Sequence, residues 1–302
     1  MKNLKDYKKN IFSQHGEDGI IEEILKRLQG LNDYQYCEFG AWDGLYLSNT
    51  CALIKKNECK ALLIEPNKKK YQELCKNFPS NKIIKLNNFV EVDGKNSLDN
   101  LLQNNKFNLN FDFLSIDVDS IDYYIFESLN IYKPKIICIE YNPTIPNEIT
   151  FIQDNSSSVN QGASAKALIE LANKKKYSPV CATETNLFFV HNDFKKNVIG
   201  DLELKLDDLI DDSDIRNFIF YGYDGSIFTS KNVRLPWHNF LVKDLNVLNK
   251  YIRKYLRNYN TLQKIYFNIL RKFNNFFYKF YETNPFSLAH LFINLYHLFD
   301  NL

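Results

Sequence analysis

Short, wholly apolar runs alternate with helically spaced apolar positions over roughly the first 192 residues, a rhythm that predicts strands separated by helices. Ile20, Ile21, Ile24, Leu25 and Leu28 share one helical face, after the polar stretch 11–19 and before Gly30, which ends the helix. Residues 36–39 read as a buried strand, followed by a helix through Lys56. Residues 61–64 form a second strand, and 68–76 begin a helix whose lysines make a wet face. Strands follow at 82–86 and 111–116, a helix starts at 123–129, and 136–139 is apolar throughout, as a central parallel strand requires. Residues 143–162 are polar and irregular, a length that inside a compact domain marks a functional or disordered loop. A helix over 163–174 then precedes an antiparallel pair, 179–183 with 187–191, around a tight turn.

The pattern changes near residue 195 and divides the chain into 1–195 and an extension, 196–302. Residues 201–214 are acidic and amphipathic, and 221–238 read as a loop or hairpin. From 240 to 280, Leu245, Leu248, Ile252, Leu256, Tyr259, Leu262, Ile269, Phe273 and Phe280 recur at helical spacing. Asn284 and Pro285 make one more helix start, with Leu288, Leu291, Phe292, Leu295 and Leu298 along its face. Between 243 and 282, nine basic residues oppose only Asp244 and Glu282, a net charge of +7. Such a stripe must bury against the preceding domain, a second subunit or a membrane surface. A homodimer through these helices is the favoured reading, with peripheral membrane contact as its alternative.

Composition narrows the classes. With 38 basic and 36 acidic residues, the chain offers no general attraction for nucleic acid. The six cysteines form no C-x-x-C pair and lie mostly in apolar runs, which reads as buried thiols in a reducing compartment. Residues 1–12 lack the apolar core of a signal peptide, and no run approaches the roughly 18 apolar residues of a membrane span. The expectation is a cytoplasmic protein, free or at the inner face of the membrane.

Candidate chemistry gathers at the predicted strand ends. In the stretch 36–50, Glu38 ends a strand, Gly40 and Gly44 flank a turn, and Ser48 or Asn49 can cap the next helix. Ligands of open α/β sheets bind outside the carboxyl ends of strands. Glu65 ends the next strand one βαβ step later, where an acid can hold ribose hydroxyls, and Asn88 follows the third strand, near where adenine would lie. Asp117, Asp119, Glu140 and Asn142 end two further strands and offer the hard oxygens that Mg²⁺ or Ca²⁺ require. The glycine spacing differs from both dinucleotide and phosphate-loop fingerprints. His15 reads as a surface residue. His238 is a candidate base or sugar-binding residue, beside Trp237, whose ring can stack on a sugar face.

The segments SQHGEDG, EFGAWDGLYLSNT, LLIEP, LSIDVDSIDYYIFE, IICIEYNP and GAS, spread over about residues 12–192, together resemble the FkbM-type branch of S-adenosylmethionine (SAM)-dependent O-methyltransferases, often found in polysaccharide and antibiotic gene clusters. The resemblance implies an α/β fold, the class I methyltransferase (Rossmann-like) seven-stranded sheet, with a mainly helical C-terminal extension outside the matched region. It implies SAM held by Glu38, Gly40, Gly44, Ser48, Glu65, Asn88 and Asp117, with Gln14 in a loop capping the pocket. Methyl transfer would go in line to an oxygen, with Asp117, Asp119 and His238 as candidates for catalysis. Tyr141, Ser164 and Trp237 would line the acceptor site. The acceptor would be a sugar, nucleotide-sugar or glycan. Related macrocin-type enzymes hold a divalent cation at the corresponding strand ends, which here implies Mg²⁺ on Asp117, Glu140 and Asn142. This chain departs from that pattern, with Glu140-Tyr141-Asn142 where those enzymes have two adjacent acids. Other readings are N-methylation, nicotinamide oxidoreduction, and a non-catalytic binding or scaffold module on the same fold. Glu140-Tyr141-Asn142-Pro143 is not the Asn-Pro-Pro-Tyr order used on base nitrogens, which counts against the first.

Overall fold

The structure, a computed structural model, describes residues 2–29, 33–158, 160–235, 238–242 and 245–283, with side chains as far as Phe276. It separates into two compact units, Met1–Ile215 and Arg216–Leu302.

In the first unit the elements follow in order: α1 Glu17–Leu28, β1 Tyr34–Phe39, α2 Cys51–Lys56, β2 Cys59–Ile64, α3 Lys68–Asn77, β3 Ile83–Leu86, α4 Leu98–Asn104, β4 Phe113–Ile116, α5 Asp122–Ser128, β5 Ile136–Glu140, α6 Ala165–Lys174, β6 Tyr177–Ala182, β7 Asn186–His191, α7 Asn192–Ile199 and α8 Leu206–Leu209. A short 3-10 turn, Leu4–Tyr7, precedes them. The strands form one seven-stranded sheet in the order β3-β2-β1-β4-β5-β7-β6. All neighbours are parallel except β7, which runs antiparallel to both β5 and β6.

The apolar runs exist because helices cover both faces. Cys37, Phe39, Leu62, Ile64, Leu114, Ile116, Ile137 and Ile139 pack on one side. Tyr36, Ala61, Leu63, Phe113, Ile136 and Cys138, the alternate positions, pack on the other. Each large side chain so buried contributes about 1.5–3 kcal/mol. All six cysteines are free thiols, five of them buried. Two helices went unread in the sequence: α4, whose Leu98, Leu101 and Leu102 are buried at helical spacing, and α7, which buries Val198 and Ile199. The acidic stretch 201–214 yields only the single turn α8. It anchors the long loop, because Asp212 accepts from the Asn147 amide (2.8 Å) and Asp207 from its side chain (2.9 Å).

The second unit holds two small hairpins, β8 Ile219–Tyr221 with β9 Ile227–Thr229 and β10 Val233–Arg234 with β11 Leu241–Val242, then a 3-10 turn and the helix α9 Thr261–Thr283. The helical spacing of Leu245–Tyr259 is therefore misleading. Asparagines decide that segment: Asn246 accepts from the Ile227 amide (2.7 Å) and Asn249 from that of Tyr251 (2.8 Å). Such side chains satisfy local or neighbouring backbone outside a helix. Ile252 and Tyr259 are buried in this irregular chain, and the Tyr259 hydroxyl donates to the Ile252 carbonyl. The helix end expected at Gly30 and the helix expected to start at Asn284 and Pro285 lie outside the described residues.

Candidate functional site

The parallel strands β1, β2, β4 and β5 all end at one edge of the sheet, and the predicted residues sit there. Gly40 follows β1, and its amide donates to the Ile64 carbonyl at the end of β2 (3.1 Å). Its φ is +78°, and a Cβ there would lie 1.8 Å from the Asp117 carbonyl oxygen. Gly44, at φ +76°, would put a Cβ 2.5 Å from both Leu74 and Phe78. Both glycines are thus demanded by the turn's own packing, on β4's exit and on α3 respectively.

Glu38 is buried, and its carboxylate is engaged by its own loop. It accepts from the Ser48 hydroxyl (2.7 Å), the Asn49 amide (2.8 Å) and the Thr50 hydroxyl. Burial nevertheless pushes its pKa upward, against those bonds. Ser48 in turn accepts from the Cys51 amide (3.0 Å) at the start of α2. Glu38 and Ser48 therefore tie the glycine turn to the next helix. Glu65 is also buried, its pKa raised by that burial, and it accepts from the Trp42 amide (2.8 Å) and the Asn67 amide (2.6 Å). Each oxygen keeps capacity for a further donor. Asn88 spends its amide on Asn96 (3.3 Å). Gln14 is exposed, and its carbonyl accepts from Asn10 (2.9 Å).

At the ends of β4 and β5, Asp117, Asp119 and Glu140 bring one oxygen each within 4.8 Å of one another. Asp117 and Glu140 are half-buried and Asp119 is exposed. None of the three carboxyls accepts a hydrogen bond among the described residues. Burial first, then the neighbouring acids Asp122, Asp119, Glu38 and Glu17, push Asp117 up to about 8. Burial and then Asp117, Asp122 and Asp119 push Glu140 up to about 9. Asp119 holds a left-handed backbone, φ +59°. Asp122 fixes the loop, accepting from the amides of Val118 (2.8 Å) and Ser120 (3.0 Å). Asn160, from the long loop, donates to the Asp119 carbonyl (2.9 Å).

Several expectations need correction. Asn142 does not join the carboxyls: its amide donates to the Gln161 carbonyl (2.8 Å) and its oxygen accepts from Thr144 (2.9 Å). Asp119 takes its place in the cluster. Tyr141 is buried, with its hydroxyl on the Thr183 carbonyl (3.1 Å), so it lines no open acceptor site. Ser164 is buried as the N-cap of α6, accepting from the Ala167 amide (3.2 Å). His238 is exposed and belongs to the second unit. Trp237 lies outside the described residues.

Residues not foreseen also shape the edge. Glu17 is fully buried, accepting from the Thr183 hydroxyl (2.6 Å), Asn186 (3.3 Å) and the His15 amide (2.6 Å). Asp18 accepts from the amides of Ile11, Phe12 and Ser13, folding the stretch 11–19 onto α1. Trp42 is half exposed at φ +51°, with the Lys70 ammonium 4.8 Å from its ring. In sequence, acids opening a helix read only as caps. With Glu38, Glu65 and Asp122 beside Glu17 and the Asp117–Asp119–Glu140 cluster, the edge holds seven acids, a cluster that favours a cationic occupant. Three hard oxygens without donors also fit a divalent cation.

A sheet in this order, parallel but for the one antiparallel strand β7 between β5 and β6, with its acids at the carboxyl edge, has the class I methyltransferase fold. No protein-family model and no curated protein matches the sequence. Among solved structures the chain is similar to the [4+2]-cyclase SpnF, at 10% identity over 57% of this chain and 63% of that one, TM-score 0.38. It is similar to M. capricolum TrmK in complex with S-adenosyl-homocysteine, at 16% identity over 56% and 65%, TM-score 0.33. It is similar too to an O-methyltransferase family protein from Burkholderia thailandensis, at 8% identity over 58% and 57%, TM-score 0.35. In all three the match spans less than two thirds of the other chain. The strand order, and not these alignments, defines the fold.

Proposed function

We propose that this protein is a SAM-dependent O-methyltransferase acting on a hydroxyl of a sugar or sugar-linked intermediate, as the FkbM-type resemblance implies. The observation that carries the reading is the convergence of Glu65, the Gly40 turn and the Asp117–Asp119–Glu140 cluster at one carboxyl edge of this sheet. Glu65 has spare lone pairs for the ribose hydroxyls. The acids around Asp117 would favour the positive charge of a bound SAM at this edge. Bound SAM supplies the electrophilic methyl group. Asp117, pushed up to about 8 and so mostly protonated at neutral pH, can take the acceptor's proton once ionised. A divalent cation would be held by Asp117, Asp119 and Glu140, and would supply charge neutralisation there.

A second reading, a non-catalytic binding module, draws on Glu38, whose carboxylate is consumed by its own loop. Calorimetry of SAM against wild type and Glu65→Gln separates them. Wild type should bind SAM, and the variant about tenfold more weakly or worse, because a buried ribose hydroxyl loses its partner. An unchanged melting temperature confirms that the variant is folded. Equal affinity in the two would overturn the Glu65 role, and no SAM binding by wild type would favour the binding module. Methyl transfer to a panel of nucleotide-sugars and glycans tests the acceptor class.

A further inference from the structure

The helix α9 divides its circumference into three faces. Gln263 is buried and donates to the Tyr251 carbonyl (2.6 Å), while Phe267, half-buried, meets Tyr259 edge-on at 5.6 Å. With Leu270 they form the face that packs on its own unit. Leu262, Ile265, Tyr266, Ile269, Phe273 and Phe276 fall on a second face, an arc of roughly 100° at 3.6 residues per turn. They remain 69, 53, 38, 49, 59 and 65% exposed. Lys264 and Arg271 occupy the side opposite, and Lys272 flanks the stripe, all exposed.

We infer that α9 seats this protein in the plane of an anionic lipid surface. An exposed apolar stripe bearing aromatic residues, backed by lysine and arginine, is what such a surface takes up. Charge selects this occupant over a second copy. Residues 243–282 carry +7, and no acid stands in α9 before Glu282 to pair across a seam of identical helices. Two copies would add like charges, whereas anionic headgroups neutralise them. No helix of the described residues is long and apolar enough to cross a membrane.

The test is co-sedimentation of the full-length protein with phosphatidylcholine vesicles, with and without phosphatidylglycerol. Partitioning should rise by more than about tenfold on the anionic vesicles, and fall in high salt. Ile269→Asp with Phe273→Asp should abolish it at unchanged melting temperature. Should that variant misfold, Arg271→Glu with Lys272→Glu, both at exposed positions, should lower the same partitioning. Equal binding to both vesicle types, or to neither, overturns the inference. So does a stable dimer in sedimentation velocity that the Ile269/Phe273 variant dissociates, which would assign the stripe to a second copy.

Discussion

At the residue scale, the edge of the sheet stores unfavourable charge. Asp117 and Glu140 are pushed to about 8 and about 9, well above the ordinary carboxyl range near 4. The folded protein therefore binds more protons than the unfolded chain between about pH 4 and pH 9, and its stability falls as pH rises across that window. Thermal melts of ligand-free protein should show this decline. Asp117→Asn should raise stability by about 1 kcal/mol or more at pH 8 and flatten the slope. Millimolar Mg²⁺ should flatten it in wild type and not in the variant, if the three carboxyls share the ion. Gly40 makes the opposite case, a residue fixed by contact. Gly40→Ala would drive a Cβ into the Asp117 carbonyl at a φ that L residues rarely adopt, costing about 3 kcal/mol or more by thermal unfolding.

At the element scale, loops are held by buried carboxylates, not by regular structure. Asp122 opens α5 and satisfies the amides of Val118 and Ser120, which keeps Asp117 and Asp119 on the same side as Glu140. Asp122→Ala should cost about 1–3 kcal/mol by denaturant titration, because two amides lose their acceptor. The same change should abolish the Mg²⁺ effect on melting, since the carboxyl cluster depends on that loop. The long loop behaves alike: Gln153, buried, accepts from the amides of Gln161 (2.9 Å) and Gly162 (2.7 Å), while Asn147 is anchored by Asp207 and Asp212. A stretch that reads as irregular polar sequence is thereby an ordered rim beside the acids.

At the scale of the whole molecule, two units of different character share the chain, a two-faced core with an acidic edge and a small unit with an exposed, basic apolar helix. The alternation of apolar runs with helical spacing determined the seven strands and most helices of the first unit. A strand buried on both faces must be apolar throughout, and that shows in one dimension. The strand-end positions of Glu38, Glu65, Asp117 and Glu140 were legible for the same reason, since a run stops where the sheet does. What these carboxylates do was not legible. Glu38 turns inward to Ser48, Asn49 and Thr50, Asn142 turns away to Gln161, and Asp119 joins Asp117 and Glu140, because each choice depends on how the loops fold back on the strand ends in space. The missing helix between Leu245 and Tyr259 belongs to the same class. Periodicity records where apolar side chains recur, but only the tertiary structure decides whether asparagine side chains or a helical ladder satisfy the backbone between them.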